Sequence, residues 1–200
     1  MLDHQDLLER ILARVDASAY LPLADAVEPH QKAAMTEIER AIRDPSAPPD
    51  EVRAVIEAAY AARRINEVMR WSALHVLAAS PRVNDPGDAA RCVAEQEMAA
   101  LRLGGPNLEN HLASVDRHRG VLAFQHDQVE VALDYFTRAF ERQRTAGNLA
   151  NVLAALLRLG EIERAEDLLS QVRSTLPQSL VEALDQMVEQ DPDLALLRFV

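Results

Sequence analysis

Residues 129–172 read VEVALDYFTRAFERQRTAGNLANVLAALLRLGEIERAEDLLSQV, and this stretch decides the fold. Val129, Ala132, Leu133, Phe136, Ala139 and Phe140 recur at steps of three and four, the period of one face of an α-helix. The pattern starts again after Asn148 with Leu149, Val152, Leu153, Leu156 and Leu157. Gly160 turns it into a third run, Ile162, Ala165, Leu168, Leu169 and Val172. Breaks this short make consecutive helices antiparallel neighbours. Ala132 and Ala165 lie 33 residues apart, each with an apolar residue four later (Phe136, Leu169) and seven later (Ala139, Val172). A small residue lets paired helices approach closely, and the large one fills the gap to the neighbour. Both alanines are therefore expected at buried contacts, and a period in the low thirties marks a helical solenoid.

Working outward, the same period predicts helices along the rest of the chain. A first helix runs from Asp3 or Asp6 to about Tyr20, with Leu7, Leu8, Ile11, Leu12 and Val15 on one stripe. A second begins near Pro29 and buries Met35, Ile38 and Ile42, and the stiff segment Asp44–Pro49 ends it. Asp50 caps a third helix (Val52, Val55, Ile56, Ala59, Tyr60). Asn66 precedes a fourth (Val68, Met69, Trp71, Leu74, Leu77) that stops at Pro81. Asp85-Pro86-Gly87-Asp88 opens a fifth, and Gly104-Gly105-Pro106 closes it. Leu108, Leu112, Val115 and Leu122 mark the sixth. Capping boxes Asp127/Glu130 and Ser179/Glu182 open the seventh and tenth, and Asp191-Pro192 begins a last short turn. The expectation is an all-α chain of ten helices. Residues 1–49 form N-terminal helices, 50–106 degenerate hairpins, 107–178 two repeats and 179–200 a C-terminal cap.

Composition agrees. The chain has 200 residues, 48% of them hydrophobic and 26% charged, which is globular rather than disordered. Aromatic residues supply only 4%, so alanine and leucine, both strong helix formers, carry the core. The net charge of −11 is spread evenly, with 17 acids against 11 bases in the first hundred residues and 15 against 10 in the second. No basic stripe exists to neutralise phosphates, which argues against nucleic acid and against an anionic membrane surface as partner. Lys32 is the only lysine, and the alanine and arginine bias is of the kind a GC-rich bacterial genome produces. Cys92 is the only cysteine, so an intrachain disulfide and a cysteine-based metal site are both ruled out. With no secretory leader pattern and no apolar run of membrane-spanning length, a cytoplasmic location is expected.

The spacing of small residues resembles the tetratricopeptide repeat, best over residues 113–178. In the first copy Gly120 takes the small position of helix A, His126-Asp127 the turn, and Ala132, Phe136 and Ala139 the helix-B positions. In the second, Gly160, Ala165, Leu169 and Val172 match, and Pro177 takes the terminal proline. The departures are several. Leu153 stands where the second copy should repeat Gly120, the first copy lacks the turn glycine and closing proline, and neither has the family's tryptophan. Residues 50–81 resemble a decayed third copy, with Met69, Ala73 and Val76 at helix-B positions. The resemblance implies antiparallel α-hairpins stacked as a short right-handed solenoid, with extra N-terminal helices. It also implies a concave groove lined by the A helices, which in this family binds extended or helical peptides. Carried over by position, that groove would present Arg117, Val121, Phe124, Asn151, Ala154 and Arg158. The family's carboxylate clamp would be incomplete, because Val121 replaces a needed asparagine.

Little catalytic chemistry is visible. There is no glycine-rich phosphate loop, no Gly-x-Ser-x-Gly and no His-Glu-x-x-His. His111, His118 and His126 lie near one face of the sixth helix. Steps of seven and eight residues separate them by about 10–12 Å, too far to share a metal, so solvated or edge-packed histidines are expected. His75 reads as a partly buried structural residue, Cys92 as a small core residue and Trp71 as core filler. Glu161, Glu163, Glu166 and Asp167 crowd a helix start, where acids favour the positive end of the helix dipole over acid–base catalysis. No cofactor or metal is expected.

The function expected from these features is that of an adaptor or scaffold, with the groove binding another protein through a peptide or helix segment, an acidic one given the two arginines. Another copy of the chain is also compatible as partner. A small acidic chaperone is the alternative, since class II chaperones of type III secretion are similar in size, acidity and repeat content, although repeats fill most of their length. A sensor or enzyme with its site in residues 1–105 is the third.

Overall fold

Two local signals start most helices: a proline in the first turn or a side chain that caps it. Asp85 accepts from the backbone N–H groups of Gly87 (2.9 Å) and Asp88 (3.0 Å), Asn66 from Met69 (3.0 Å) and Thr145 from Asn148 (3.2 Å). The structure is a computed structural model that describes residues 28–80, 83 and 85–198. The expected helix near residues 3–20 and the stop at Pro81 lie outside the described residues. Within them are α1 (Pro29–Arg43), α2 (Pro49–Ala61), α3 (Glu67–Ala78), α4 (Pro86–Leu103), α5 (Leu108–Gln125), α6 (Val129–Arg142), α7 (Ala146–Arg158), α8 (Ile162–Thr175), α9 (Gln178–Gln190) and a 3-10 turn, Pro192–Leu197. The described residues contain no strand, so the chain is all-α as expected, and its helices pack against their neighbours. None of the described helices is long and apolar enough to cross a membrane.

Contacts divide the chain inside α5, between His118 and Arg119, rather than at the Gly104-Gly105-Pro106 break. In the unit ending at His118, α3 lies against α1, α2 and α4. Every residue from Met69 to His75 is buried, which is the signature of a central helix rather than an amphipathic surface one. Arg70 tolerates that position because Glu57 (2.9 Å) and Glu67 (2.8 Å) pair with its guanidinium, which also lies 4.9 Å from the Tyr60 ring centre. Arg53 ties α2 to α4 through Glu95 at 2.9 Å.

In the unit beginning at Arg119, α7 takes the central place, touching α6, α8, α9 and the 3-10 turn. Asn148 through Leu156 are all buried. The Asn148 amide donates to the carbonyls of Ala139 (3.3 Å) and Gln143 (2.8 Å), satisfying acceptors at the end of α6. Ala132 and Ala165 are fully buried, as their spacing predicts. Gly120 is packed more tightly still. A Cβ there would stand 2.5 Å from both Cδ1 and Cε1 of Phe136.

The backbone itself recurs at 33 residues. Helices α6 and α8 each have 14 residues and start and end 33 apart. Gln128 and Glu161, the residues before them, have φ/ψ of −92/61 and −85/55. The preceding turns both use a left-handed residue, Asp127 (φ 58) and Gly160 (φ 77). Both are closed by the same backbone hydrogen bond, Gln128 N–H to Ala123 O (2.9 Å) and Glu161 N–H to Leu156 O (3.0 Å). Arg63 (φ 55), with Arg64 N–H to Ala59 O (2.9 Å), makes a similar end to α2.

These turns correct several expected caps. Asp127 is the left-handed turn residue and not the cap of α6, whose own cap position is Gln128. Asp50 lies in the first turn of α2, behind Pro48. Helix α9 begins at Gln178 behind Pro177, so Ser179 is already inside it. Helix α7 begins at Ala146, which leaves the Asn148 side chain free to cap its predecessor.

Candidate functional site

The expected groove residues are largely interior. Val121, Phe124, Asn151 and Ala154 are buried, and Arg117 is half-buried with its guanidinium 3.4 Å from the Ser114 hydroxyl. Only Arg158 reaches the surface, 4.0 Å from Asp127. The physical reason is the central position of α7: four elements surround it, so the face expected to be open is packed. The Asn151 Oδ1 is buried without a hydrogen-bond partner inside this core.

The most distinctive polar cluster lies in the other unit, on α3, α4 and the start of α5. Trp71 and His75 are one turn apart on α3 and His111 and His118 two turns apart on α5. Their rings interleave in one column, His111–Trp71–His75–His118, with successive centres 4.3, 5.2 and 4.8 Å apart. Two turns of α5 rise about 10 Å, which leaves room for the α3 pair between the two imidazoles. From α4, the Gln96 amide bridges the column: Nε2 is 3.1 Å from His75 Nδ1 and Oε1 is 2.9 Å from His118 Nδ1. His75 and Gln96 are fully buried and His118 nearly so.

Burial sets the charge state of this column. It pushes His75 down to about 3, with nearby Arg117 and His111 adding to the effect. It holds His118 well below the ordinary imidazole range, with His75 and Arg117 contributing, and lowers His111 as well. The three imidazoles are neutral at pH 7. Neither solvation nor edge packing describes His118, and His75 is wholly rather than partly buried. Of His111, His118 and His126, only His126 is exposed, just beyond the end of α5. The missed partner was Gln96. Its signal in the sequence was a lone amide among the buried positions Cys92, Val93, Ala99 and Ala100 of α4.

The described residues hold no group of three side chains able to bind a metal. Cys92 is buried, and burial raises its thiol to about 11, the state of an inert core residue. Glu161 pairs with Arg164 at the start of α8. Trp71 belongs to the core, inside the stack.

One exposed face has a concave feature. Along α6, Val131, Asp134, Tyr135, Thr137, Arg138 and Glu141 line an open depression of about 450 Å³. The Arg138 guanidinium lies 4.3 Å from the Tyr135 ring centre, and Val131 is 44% exposed. Neither a protein-family model, a curated protein nor a solved structure matches the chain.

Proposed function

We propose that this chain is a protein–protein interaction module, an adaptor whose TPR-like helical hairpins hold a segment of another protein. The observation that carries the proposal is the 33-residue recurrence of helix length, turn dihedrals and turn hydrogen bonding between residues 123–142 and 156–175. Arrays of this kind are quasi-one-dimensional scaffolds, and their usual work is to offer a rigid surface. Because the expected groove is packed, the binding surface is assigned to the outer face of α6. Tyr135 and Arg138 are of the residue types that dominate binding energy at interfaces, and Val131 adds an apolar contact. A peptide or helix segment carrying an aliphatic or aromatic side chain would suit the Val131 and Tyr135 contacts. The lone, buried Cys92 is consistent with a reducing cytoplasm.

The test is affinity capture from the source cell, followed by a titration of the recombinant partner against the protein and against a Tyr135→Ala/Arg138→Glu variant. At least a tenfold loss of affinity, with an unchanged far-UV circular dichroism spectrum, supports the assignment. Equal binding by the variant removes α6 as the surface, and failure to recover any partner removes the adaptor. A single abundant client would mark a dedicated chaperone.

A further inference from the structure

The bridged histidine column has a property that follows from its hydrogen bonding. A primary amide offers one acceptor and one donor along this line, so the Nδ1 atoms of His75 and His118 must carry one proton between them. The orientation of the Gln96 amide does not alter that count. In the arrangement shown, His75 accepts and His118 donates. An added proton then has two destinations in this pair. At His75 Nδ1 it meets the amide N–H of Gln96, and turning the amide moves the same donor–donor clash to His118. At His118 Nε2 it is buried without a hydrogen-bond partner.

From α5, Arg117 is itself positive, and His111 closes the far end of the column. From α4, Glu95 Oε1 is engaged by Arg53 of α2 while its Oε2 is buried without a hydrogen-bond partner, and Cys92 is a neutral thiol. From α2 and α3, Glu57 and Glu67 are engaged by Arg70. The buried residues of α1 are Ala34, Met35 and Ile38. Asp116, buried on α5, has interactions of its own.

We propose that the His111–Trp71–His75–His118 column with Gln96 is an acid-operated latch, holding α3, α4 and the start of α5 together while its histidines are neutral and releasing them in mild acid. The Gln96 bridge joins α3, α4 and α5 through hydrogen bonds that allow one Nδ1 proton between His75 and His118, so an added proton either breaks the bridge at Nδ1 or places a buried charge at His118 Nε2. The depressed titration of all three histidines is the energetic counterpart of this geometry.

The test uses the full chain from pH 8 to pH 4.5. Trp71 is the only tryptophan, so its emission reports on the column directly. Amide exchange of residues 67–103 is compared with that of residues 129–175, which carry no histidine. The expected result is a reversible red shift of Trp71 emission and at least a tenfold loss of protection in α3 and α4 near pH 5, with α6–α8 still protected. A His75→Phe variant, which keeps a flat ring and cannot protonate, should move the transition at least half a pH unit lower. If that variant does not fold, Gln96→Glu serves instead, because a carboxylate accepts from both protonated imidazoles and should likewise shift the transition down. Protection of α3 and α4 unchanged to pH 4.5, or loss at the same pH in parent and folded variant, overturns the latch.

Discussion

Gly120→Ala is the sharpest perturbation the packing allows. Adding a methyl group to an exposed helical glycine stabilises by about 0.5–1 kcal/mol, because alanine loses less backbone entropy on folding. Here the new Cβ would lie 2.5 Å from two atoms of the Phe136 ring and 3.1 Å from Cγ. Ordinary contact begins near 3.4 Å, so the ring must retreat by close to 1 Å. It has little room. Phe136 is fully buried and belongs to a cluster that includes Ala132, Leu149 and Leu153. Overpacking of this kind costs about 1–3 kcal/mol, which outweighs the helical gain and leaves a net loss of roughly 0.5–2 kcal/mol. Phe136→Leu alone should cost roughly 1–2 kcal/mol by opening a void. Combined with Gly120→Ala it should cost less than the two added together, since the methyl group enters the space the ring vacates, giving a coupling of about 1 kcal/mol. Urea denaturation followed by circular dichroism, with slopes compared for two-state behaviour, measures all three. If Gly120→Ala is as stable as the parent or more so, the helices are not locked at this contact and the reasoning fails.

Other perturbations have defined outcomes. The His75 imidazole titrates at about 3 in the folded chain and near 6.5 when exposed, so the unfolded state binds the extra proton. Its contribution is present in full above pH 6.5 and is lost as pH falls from there toward 3, reaching about 2 kcal/mol at pH 5; a urea midpoint that stays flat from pH 7 to 5 would contradict it. Arg63→Gly should raise stability by about 0.5–1 kcal/mol by relieving a left-handed backbone at φ 55, read as a higher thermal midpoint. Ala132→Leu and Ala165→Leu should each cost about 1–3 kcal/mol, because both alanines are fully buried; variants that melt like the parent would show the helix pairs to be loosely packed.

The elements were legible in the sequence wherever one apolar stripe faced one neighbour. In α6 the stripe Val129, Ala132, Phe136 and Ala139 is the buried set. Proline and asparagine punctuation likewise placed the starts of α1, α3 and α4. What the pattern hid was which helices are central. Helix α7 reads as amphipathic because Asn148 stands ahead of its apolar run and Asn151 interrupts it, yet both are buried, Asn148 by bonding to the end of α6. That is why a face read as a groove is interior. The histidine column was hidden for a related reason. A seven-residue spacing excludes a shared metal but says nothing of rings from another helix inserted between the two imidazoles, and the bridge needs Gln96 from a third helix. Asp127 was misassigned because an aspartate before an apolar run signals a cap as readily as it signals a left-handed turn.

Site-specific photo-crosslinking in the source cell most directly tests whether α6 holds a partner. A photoreactive phenylalanine analogue is placed at Val131 or Tyr135, and at the exposed Gln186 of α9 as the control. Mass spectrometry then identifies what becomes attached. The same partner protein should be captured at positions 131 and 135 and not at 186. No captured protein, or the same yield at all three positions, would contradict an interaction surface on α6.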